Sequence, residues 1–170
     1  MLASLASLLG GCFLSPRALI TPSDADYPWH DGHGEQYAWD GGAWQSRGRV
    51  ALRREGVDYV LVPEDGDEVT RFRAKQIAPD AYVVQGEDDS DPNARAYIFG
   101  LALAEDGAID LYSFDAESMH CRLPGIDATG LGLAPDEEGC AVPSLDALLD
   151  LFRRLRATRP APETRYILSS

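Results

Sequence analysis

The chain has 170 residues, of which 45% are hydrophobic and 25% charged, and its formal net charge at pH 7 is −13. This hydrophobic content supports a folded core, so the composition excludes a wholly disordered chain, and the length fits one domain. The excess of negative charge argues against nucleic acid and against an anionic membrane surface as partners, because both would repel the protein.

The first residues are apolar and lead to a cysteine. Residues 5–9 form a largely apolar run, and the sequence there continues as Leu9-Gly10-Gly11-Cys12. This pattern resembles the lipobox of bacterial lipoproteins, in which a leucine and small residues precede an invariant cysteine. The resemblance implies a signal peptide over residues 1–11 and cleavage before Cys12. It also implies diacylglycerol on the Cys12 thiol and a fatty acid such as palmitate on the new amino group.

The same resemblance implies a place in the bacterial cell envelope. Phe13 follows the cysteine where the family uses aspartate for retention in the inner membrane, so we expect an outer-membrane anchor facing the periplasm. Residues 1–11 contain no lysine or arginine, whereas signal peptides open with positive charge. We therefore expect a truncated signal whose natural start lies upstream of Met1; the alternative is an apolar N-terminus on a cytosolic protein. The run is too short for a transmembrane helix, which needs about 20 residues.

The cysteine count agrees with export. The sequence has three cysteines, Cys12, Cys121 and Cys140. If Cys12 carries lipid, an even pair is left, which an oxidising compartment would join as a disulfide. A bridge between Cys121 and Cys140 would stabilise the fold by about 3 kcal/mol in the chain-entropy model. The alternative is two buried free thiols.

After the cysteine, the sequence predicts a tether and then one domain. Residues 12–26 are polar, lack periodicity and contain Pro16 and Pro22, a composition typical of a flexible linker. Residues 27–170 form the single globular domain in this interpretation.

An aromatic segment opens the domain. Two Tyr-x-Trp units, at Tyr27 and Trp29 and at Tyr37 and Trp39, are followed by Trp44, and these are all the tryptophans of the chain. On an extended strand, both rings of a unit lie on one side. The segment 27–44 is interpreted as an aromatic cover of the core, as a stacking surface for a glycan or another small ligand, or as a contact for a protein partner.

The rest of the chain predicts short strands joined by Xaa-Gly turns, followed by one helix. Ser144 can cap that helix, a leucine-rich stripe follows at helical spacing, and Pro160 ends it. The predicted fold is mainly β (α+β), an antiparallel meander of six or seven strands with one C-terminal helix. The spacing of the strands does not decide between an open sheet and a barrel. The predicted strands are residues 49–54, 57–62, 69–74, 77–85, 96–104, 109–114 and 164–168.

Two clusters suggest metal ions. His30 and His33, with nearby carboxylates and His120 as a distant third ligand, could bind zinc or another divalent ion; the alternative is a polar turn. Residues 89–93 are similar to the start of a calcium-binding EF-hand loop, but Ala94 and Gly100 replace the required glycine and glutamate, which favours a solvated hairpin end.

Catalytic motifs are missing from the sequence. It contains no nucleophile elbow, phosphate-binding loop or His-Glu-x-x-His helix, and His120 and Cys121, as neighbours on a strand, would point to opposite faces. We therefore expect a non-enzymatic protein without a cofactor. The expected function is a structural or interaction role at the envelope, with the membrane as partner through the anchor and an envelope protein or glycan beyond it. The alternative is a ligand- or glycan-binding protein that uses residues 27–44.

Overall fold

Eight antiparallel strands close into a barrel. The computed structural model describes residues 13–66, 69–88, 96–112, 121, 125–136, 139–158 and 162–169. The barrel strands are β2 (Gly32–Asp40), β3 (Ala43–Glu55), β4 (Asp58–Pro63), β5 (Thr70–Ala78), β6 (Ala81–Asp88), β7 (Ala96–Glu105), β8 (Ala108–Tyr112) and β11 (Thr164–Ser169). β2 to β8 pair in chain order, and β11 closes the ring between β8 and β2.

In the described residues, three short strands and one α-helix lie outside this ring. Strand β1 (Phe13–Ser15) pairs with β7 and with β10 (Gly139–Ala141), which in turn pairs with β9 (Ala134–Asp136). Helix α1 (Leu145–Thr158) precedes β11. The mainly-β, barrel-like class with a C-terminal helix is thus correct. The described part of the chain has eleven strands rather than six or seven, because the aromatic segment contains β2 and the loop-like regions contain β1, β9 and β10.

Local sequence signals account for the hairpins and the helix. Asp106 and Gly107 both have positive φ, 50° and 80°, as the tight turn between β7 and β8 requires. The Ser144 hydroxyl accepts a hydrogen bond from the Ala147 amide at 3.2 Å and begins α1, which satisfies an amide left free by the first helical turn.

The buried side chains form two layers on either side of the barrel wall. The inner layer fills the barrel with alternating strand residues, and includes Val50, Leu52, Tyr59, Leu61, Ala74, Tyr82, Val84, Ala102, Ile109 and Tyr166. The outer layer lies between the wall and α1, and includes Val83, Phe99 and Leu101 from the strands and Leu148, Leu151, Phe152 and Leu155 from the helix. Strand β7 contributes to both layers, as its unbroken apolar run predicts.

Residues 13–26 differ from the expected tether. Phe13 and Ile20 are fully buried in the outer layer, and the Phe13 ring contacts Phe152 edge-on with centroids 5.6 Å apart. The Leu19 and Ile20 amides donate to Gln85 Oε1 at 2.7 and 2.8 Å. The reason is packing: Phe13, Leu19 and Ile20 belong to the same buried cluster as the apolar face of α1, and the two prolines lie outside the strands.

The two later cysteines lie beside this segment. The sulfur atoms of Cys121 and Cys140 are 2.01 Å apart and their Cα atoms 5.2 Å apart, the spacing of a disulfide and the pairing that the sequence analysis expects. Cys140 lies opposite Phe13 in the β1–β10 pair. Cys12 lies outside the described residues. No helix in the described ranges is long and apolar enough to cross a membrane.

Candidate ligand-binding site

An apolar cavity lies inside the barrel. The volume open to the centre of a water molecule is about 40 Å³. This is more than the roughly 10–15 Å³ that one water needs, and less than the ~150 Å³ of a cavity that holds benzene. None of the side chains that line the cavity carries a charge. They are Trp29, Leu52, Leu61, Thr70, Phe72, Val84, Ile109, Leu111, Tyr166 and Leu168.

Two of these side chains have unsatisfied polar atoms. Within the described residues, the buried atoms Trp29 Nε1 and Tyr166 Oη lack a hydrogen-bond partner. Each such group costs about 1–3 kcal/mol of stability, because it has lost water without a replacement. Burial also raises the pKa of the Tyr166 phenol well above its usual range, so the hydroxyl keeps its proton at neutral pH. Neither polar atom contributes accessible surface to the cavity, whose wall is apolar.

Trp29 is held at one end of the barrel by other aromatic side chains. Its ring centroid lies 5.4 Å from that of Tyr59, 6.1 Å from Phe72 and 5.1 Å from Tyr82. The Tyr59 hydroxyl accepts a hydrogen bond from the Trp29 amide and donates one to the Trp29 carbonyl, both at 2.9 Å. The backbone of Trp29 is therefore fixed, and the indole is positioned by packing.

Residues 26–31, which we call the strap, cross this end of the barrel and are fastened at both ends. The Asp26 amide donates to the Ala74 carbonyl at 2.8 Å, and an Asp26 carboxylate oxygen accepts from the Gln76 amide at 2.8 Å. At the other end, Asp31 accepts from the Arg54 amide at 2.8 Å. These contacts hold the strap on both sides of the indole.

Tyr27 adds a contact on the outer side of the strap. Its hydroxyl donates to the Val57 carbonyl at 3.2 Å, and the Arg54 guanidinium carbon lies 3.6 Å from its ring centroid, a cation–π geometry. Tyr27 therefore supports the strap and is not among the residues that line the cavity.

A surface groove adjoins the cavity on the far side of Trp29. The groove has a volume of about 330 Å³ and is lined by strap residues, by the β7–β8 turn and by the end of β11. Trp29, Ile109 and Leu168 line both the groove and the cavity. Trp29 thus lies between the cavity and the groove. The groove alone has the size of an ordinary ligand site, roughly 300–1,000 Å³.

The other predicted aromatic residues lie elsewhere. Trp39 and Trp44 face each other across the β2–β3 hairpin, with ring centroids 5.3 Å apart, and the Trp39 side chain is 40% exposed. Along β2, Trp39 lies seven residues beyond Gly32, about 23 Å at the usual rise, so this pair is at the barrel end away from the strap. Tyr37, on the same strand, donates a hydrogen bond to Glu35.

The predicted histidine site contains no ligand cluster in the described ranges. His30 is exposed, and the Nδ1 atom of His33 lies 3.9 Å from Glu64 Oε1 on the surface. Among the described residues, no group of three or more His, Cys, Asp and Glu side chains could hold a metal ion. His120 and the calcium-like segment 89–93 lie outside those residues.

The sequence predicted Trp29 as a ligand-binding residue but did not predict Tyr166, which lines the same cavity. Tyr166 lies in β11, and its local sequence is that of an ordinary core residue. No local signal marks it, because the absence of a partner depends on strands that are distant in sequence. No protein-family model, curated protein or solved structure matches this chain.

Proposed function

We propose that this protein binds a small, largely apolar molecule at the Trp29 end of the barrel, in the groove and the cavity that adjoins it. The observation that carries the proposal is that Trp29, Ile109 and Leu168 line both the uncharged apolar cavity and the groove of about 330 Å³ beside it. A ligand that occupies both would bury its apolar surface against this wall, which favours binding.

The lining favours binding over catalysis. Tyr166 is the one ordinarily titratable side chain among the lining residues, and burial moves the pKa of its phenol upward, away from neutrality. A general acid or base works best with a pKa near the working pH. We therefore propose a non-enzymatic role that requires no cofactor.

Calorimetry with acetophenone, a small aromatic ketone, tests this function. We expect saturable binding with one molecule per chain. Val84→Phe, which fills the cavity from a buried lining position, should abolish binding. Leu111→Phe, at a half-buried lining position, provides a second test if the first variant folds poorly. Ile167→Phe is the control, since Ile167 lies on β11 with its side chain 48% exposed. Equal binding to wild type and both cavity-filling variants would contradict the site.

The location in the cell is a second part of the proposal. We propose that Cys12 is lipidated and anchors the barrel to the outer membrane of a bacterial envelope, facing the periplasm. The lipobox resemblance supports this, as does the disulfide spacing of Cys121 and Cys140, because disulfides persist in oxidising compartments. Strand β1 begins at Phe13, one Cα step of about 3.8 Å beyond Cys12. An anchor there would hold the barrel directly against the membrane.

Metabolic labelling with palmitate tests the anchor. We expect label in the wild-type protein and none in Cys12→Ser. A Ser170→Cys replacement in the Cys12→Ser background supplies a cysteine at the wrong place and should not restore the label. Label that persists in Cys12→Ser would contradict lipidation at this residue.

One observation supports glycan binding as an alternative function. Trp39 is 40% exposed and packed edge-on against Trp44, and an exposed indole face can stack on a sugar ring. This alternative function would use the barrel end away from the strap. Loss of peptidoglycan binding in Trp39→Ala, with an unchanged melting temperature, would support it.

A further inference from the structure

We infer that the ligand of the groove and the cavity is an organic cation with an apolar body, such as an aryl or alkyl ammonium ion. This inference rests on the proposed binding function and names the chemical class of its ligand. It follows from the charges that line the groove, from the net charge of the chain and from the apolar wall that the groove shares with the cavity.

Two aspartates stand on different walls of the groove. Asp31 belongs to the strap and Asp106 to the β7–β8 turn, and both residues are exposed. A carboxylate oxygen of Asp31 accepts a hydrogen bond from the Arg54 amide at 2.8 Å, and Asp106 takes the positive φ of 50° that the tight turn uses. The fold therefore places a carboxylate on each side of a molecule in the groove.

No lysine or arginine among the described residues lines the groove. The guanidinium carbon of Arg54 lies 3.6 Å from the Tyr27 ring centroid, and its Nε donates to the Gly56 carbonyl at 3.2 Å. Tyr27 and Gly56 are not groove residues, so this charge is engaged elsewhere. His30 is exposed and lines the groove, but an imidazole is a cation only when it is protonated. An ammonium ion in the groove would therefore meet two carboxylates and no lysine or arginine.

The net charge of the chain acts in the same direction. At −13, the protein attracts cations and repels anions before they reach the surface. A carboxylate ligand would meet this repulsion and then the two aspartates. A neutral ligand would gain nothing from either charge.

The apolar wall determines the rest of the ligand and its orientation. Trp29, Ile109 and Leu168 continue from the groove into the cavity, where an apolar body is removed from water. The ammonium group itself would not enter the cavity, because it would lose water there without a polar partner. The ligand therefore directs its apolar body inward and keeps its charge in the groove, beside the exposed carboxylates.

Three probes of similar size separate charge from apolar burial. At pH 7.5 phenethylamine is a cation, phenethyl alcohol is neutral and phenylacetate is an anion, and all three have the same phenyl body. Calorimetry on the full chain should rank phenethylamine about tenfold tighter than phenethyl alcohol, the combined effect of two partly exposed ion pairs. Phenylacetate should be the weakest. Added salt should narrow the difference between the amine and the alcohol, because it screens exposed charges.

Variants that remove one charge test whether the groove carboxylates select the cation. Asp106→Asn should lower phenethylamine affinity about two- to fivefold, the range of one exposed ion pair, and leave phenethyl alcohol unchanged; asparagine tolerates the positive φ of this turn. Asp31→Asn, whose amide oxygen can still accept from Arg54, is a second test if the first variant folds poorly. The control Asp40→Asn removes the same charge from an exposed position at the barrel end away from the strap, and should change neither affinity. His30→Gln should keep the preference for the amine.

Each outcome bears on a separate claim. Phenethyl alcohol or phenylacetate that binds as tightly as phenethylamine would overturn the cationic ligand and leave the binding function standing. An Asp106→Asn variant that binds phenethylamine no more weakly than Asp40→Asn, or a preference that disappears in His30→Gln, would overturn selection by the groove carboxylates. If none of the three probes binds, the proposed function itself is contradicted together with this inference.

Discussion

The indole of Trp29 and the phenol of Tyr166 line one cavity, and each leaves a buried donor without a partner in the described part of the chain. The two residues come from opposite ends of the globular region, from the strap and from the last barrel strand. Because folding buries both donors without a described partner, each costs the protein stability. This relationship leads to a stability prediction.

Removal of the Tyr166 hydroxyl should not destabilise the empty protein. We expect Tyr166→Phe to keep or raise the free energy of unfolding, by about 1 kcal/mol, because the buried hydroxyl has no described partner. Tyr59→Phe is the matched control: it removes two hydrogen bonds to Trp29 and should cost about 1–3 kcal/mol. Urea unfolding of the three proteins measures both effects. A larger loss in Tyr166→Phe than in Tyr59→Phe would show that the Tyr166 hydroxyl is bonded in the empty protein.

The same phenol should make stability sensitive to alkaline pH. Burial raises the pKa of Tyr166 above its ordinary value of 10.0, so above pH 10 the unfolded chain releases this proton more readily than the folded one. The free energy of unfolding must then fall as pH rises. Between pH 10 and 11.5 we expect wild type to lose stability faster than Tyr166→Phe, by up to about 1.4 kcal/mol per pH unit. Urea unfolding at each pH measures the stability of both proteins. Parallel curves of stability against pH would contradict a buried protonated phenol.

Phe13 gives a test of the N-terminal segment. Its side chain is fully buried against Phe152, so Phe13→Ala should cost about 3–5 kcal/mol of unfolding free energy, the usual cost of such a cavity. Ser23→Ala, at an exposed position of the same segment, should stay within about 0.5 kcal/mol of wild type. Denaturant unfolding compares them. Wild-type stability in Phe13→Ala would support the flexible tether instead.

The bridge between Cys121 and Cys140 should stabilise the isolated domain. Reduction of the wild-type protein should lower its unfolding free energy by about 3 kcal/mol, as expected for a short closed loop. The double variant Cys121→Ala/Cys140→Ala should match the reduced protein and show no response to reductant. Mass spectrometry must establish that the thiols are free. Unchanged stability after complete reduction would contradict a structural bridge.

Features that depend on residues close together in sequence were predictable, and features that depend on distant strands were not. The β7–β8 turn and the start of α1 depend on neighbours in sequence, Asp106-Gly107 and Ser144, and both were predictable. Barrel closure depends on β11 pairing with β2 (Thr164 opposite Ala38), which no spacing reveals. The two Tyr-x-Trp units are alike in sequence but lie at opposite ends of the barrel. Trp29 lies in the strap and lines the cavity, whereas Trp39 lies near the far end of β2. The cavity depends on the distant strands that surround Tyr166, whereas the local pattern predicted only a strand over residues 164–168.

The indole N–H resonances test the central claim most directly. In a proton–nitrogen NMR spectrum the three tryptophans give three indole signals, and Trp29→Phe identifies that of Trp29. Saturation with acetophenone should shift the Trp29 signal, because the Trp29 ring lines both the cavity and the groove, and leave the signals of Trp39 and Trp44 in place. A Trp29 signal that does not move at saturation, or a shift confined to Trp39, would contradict a ligand site inside the barrel.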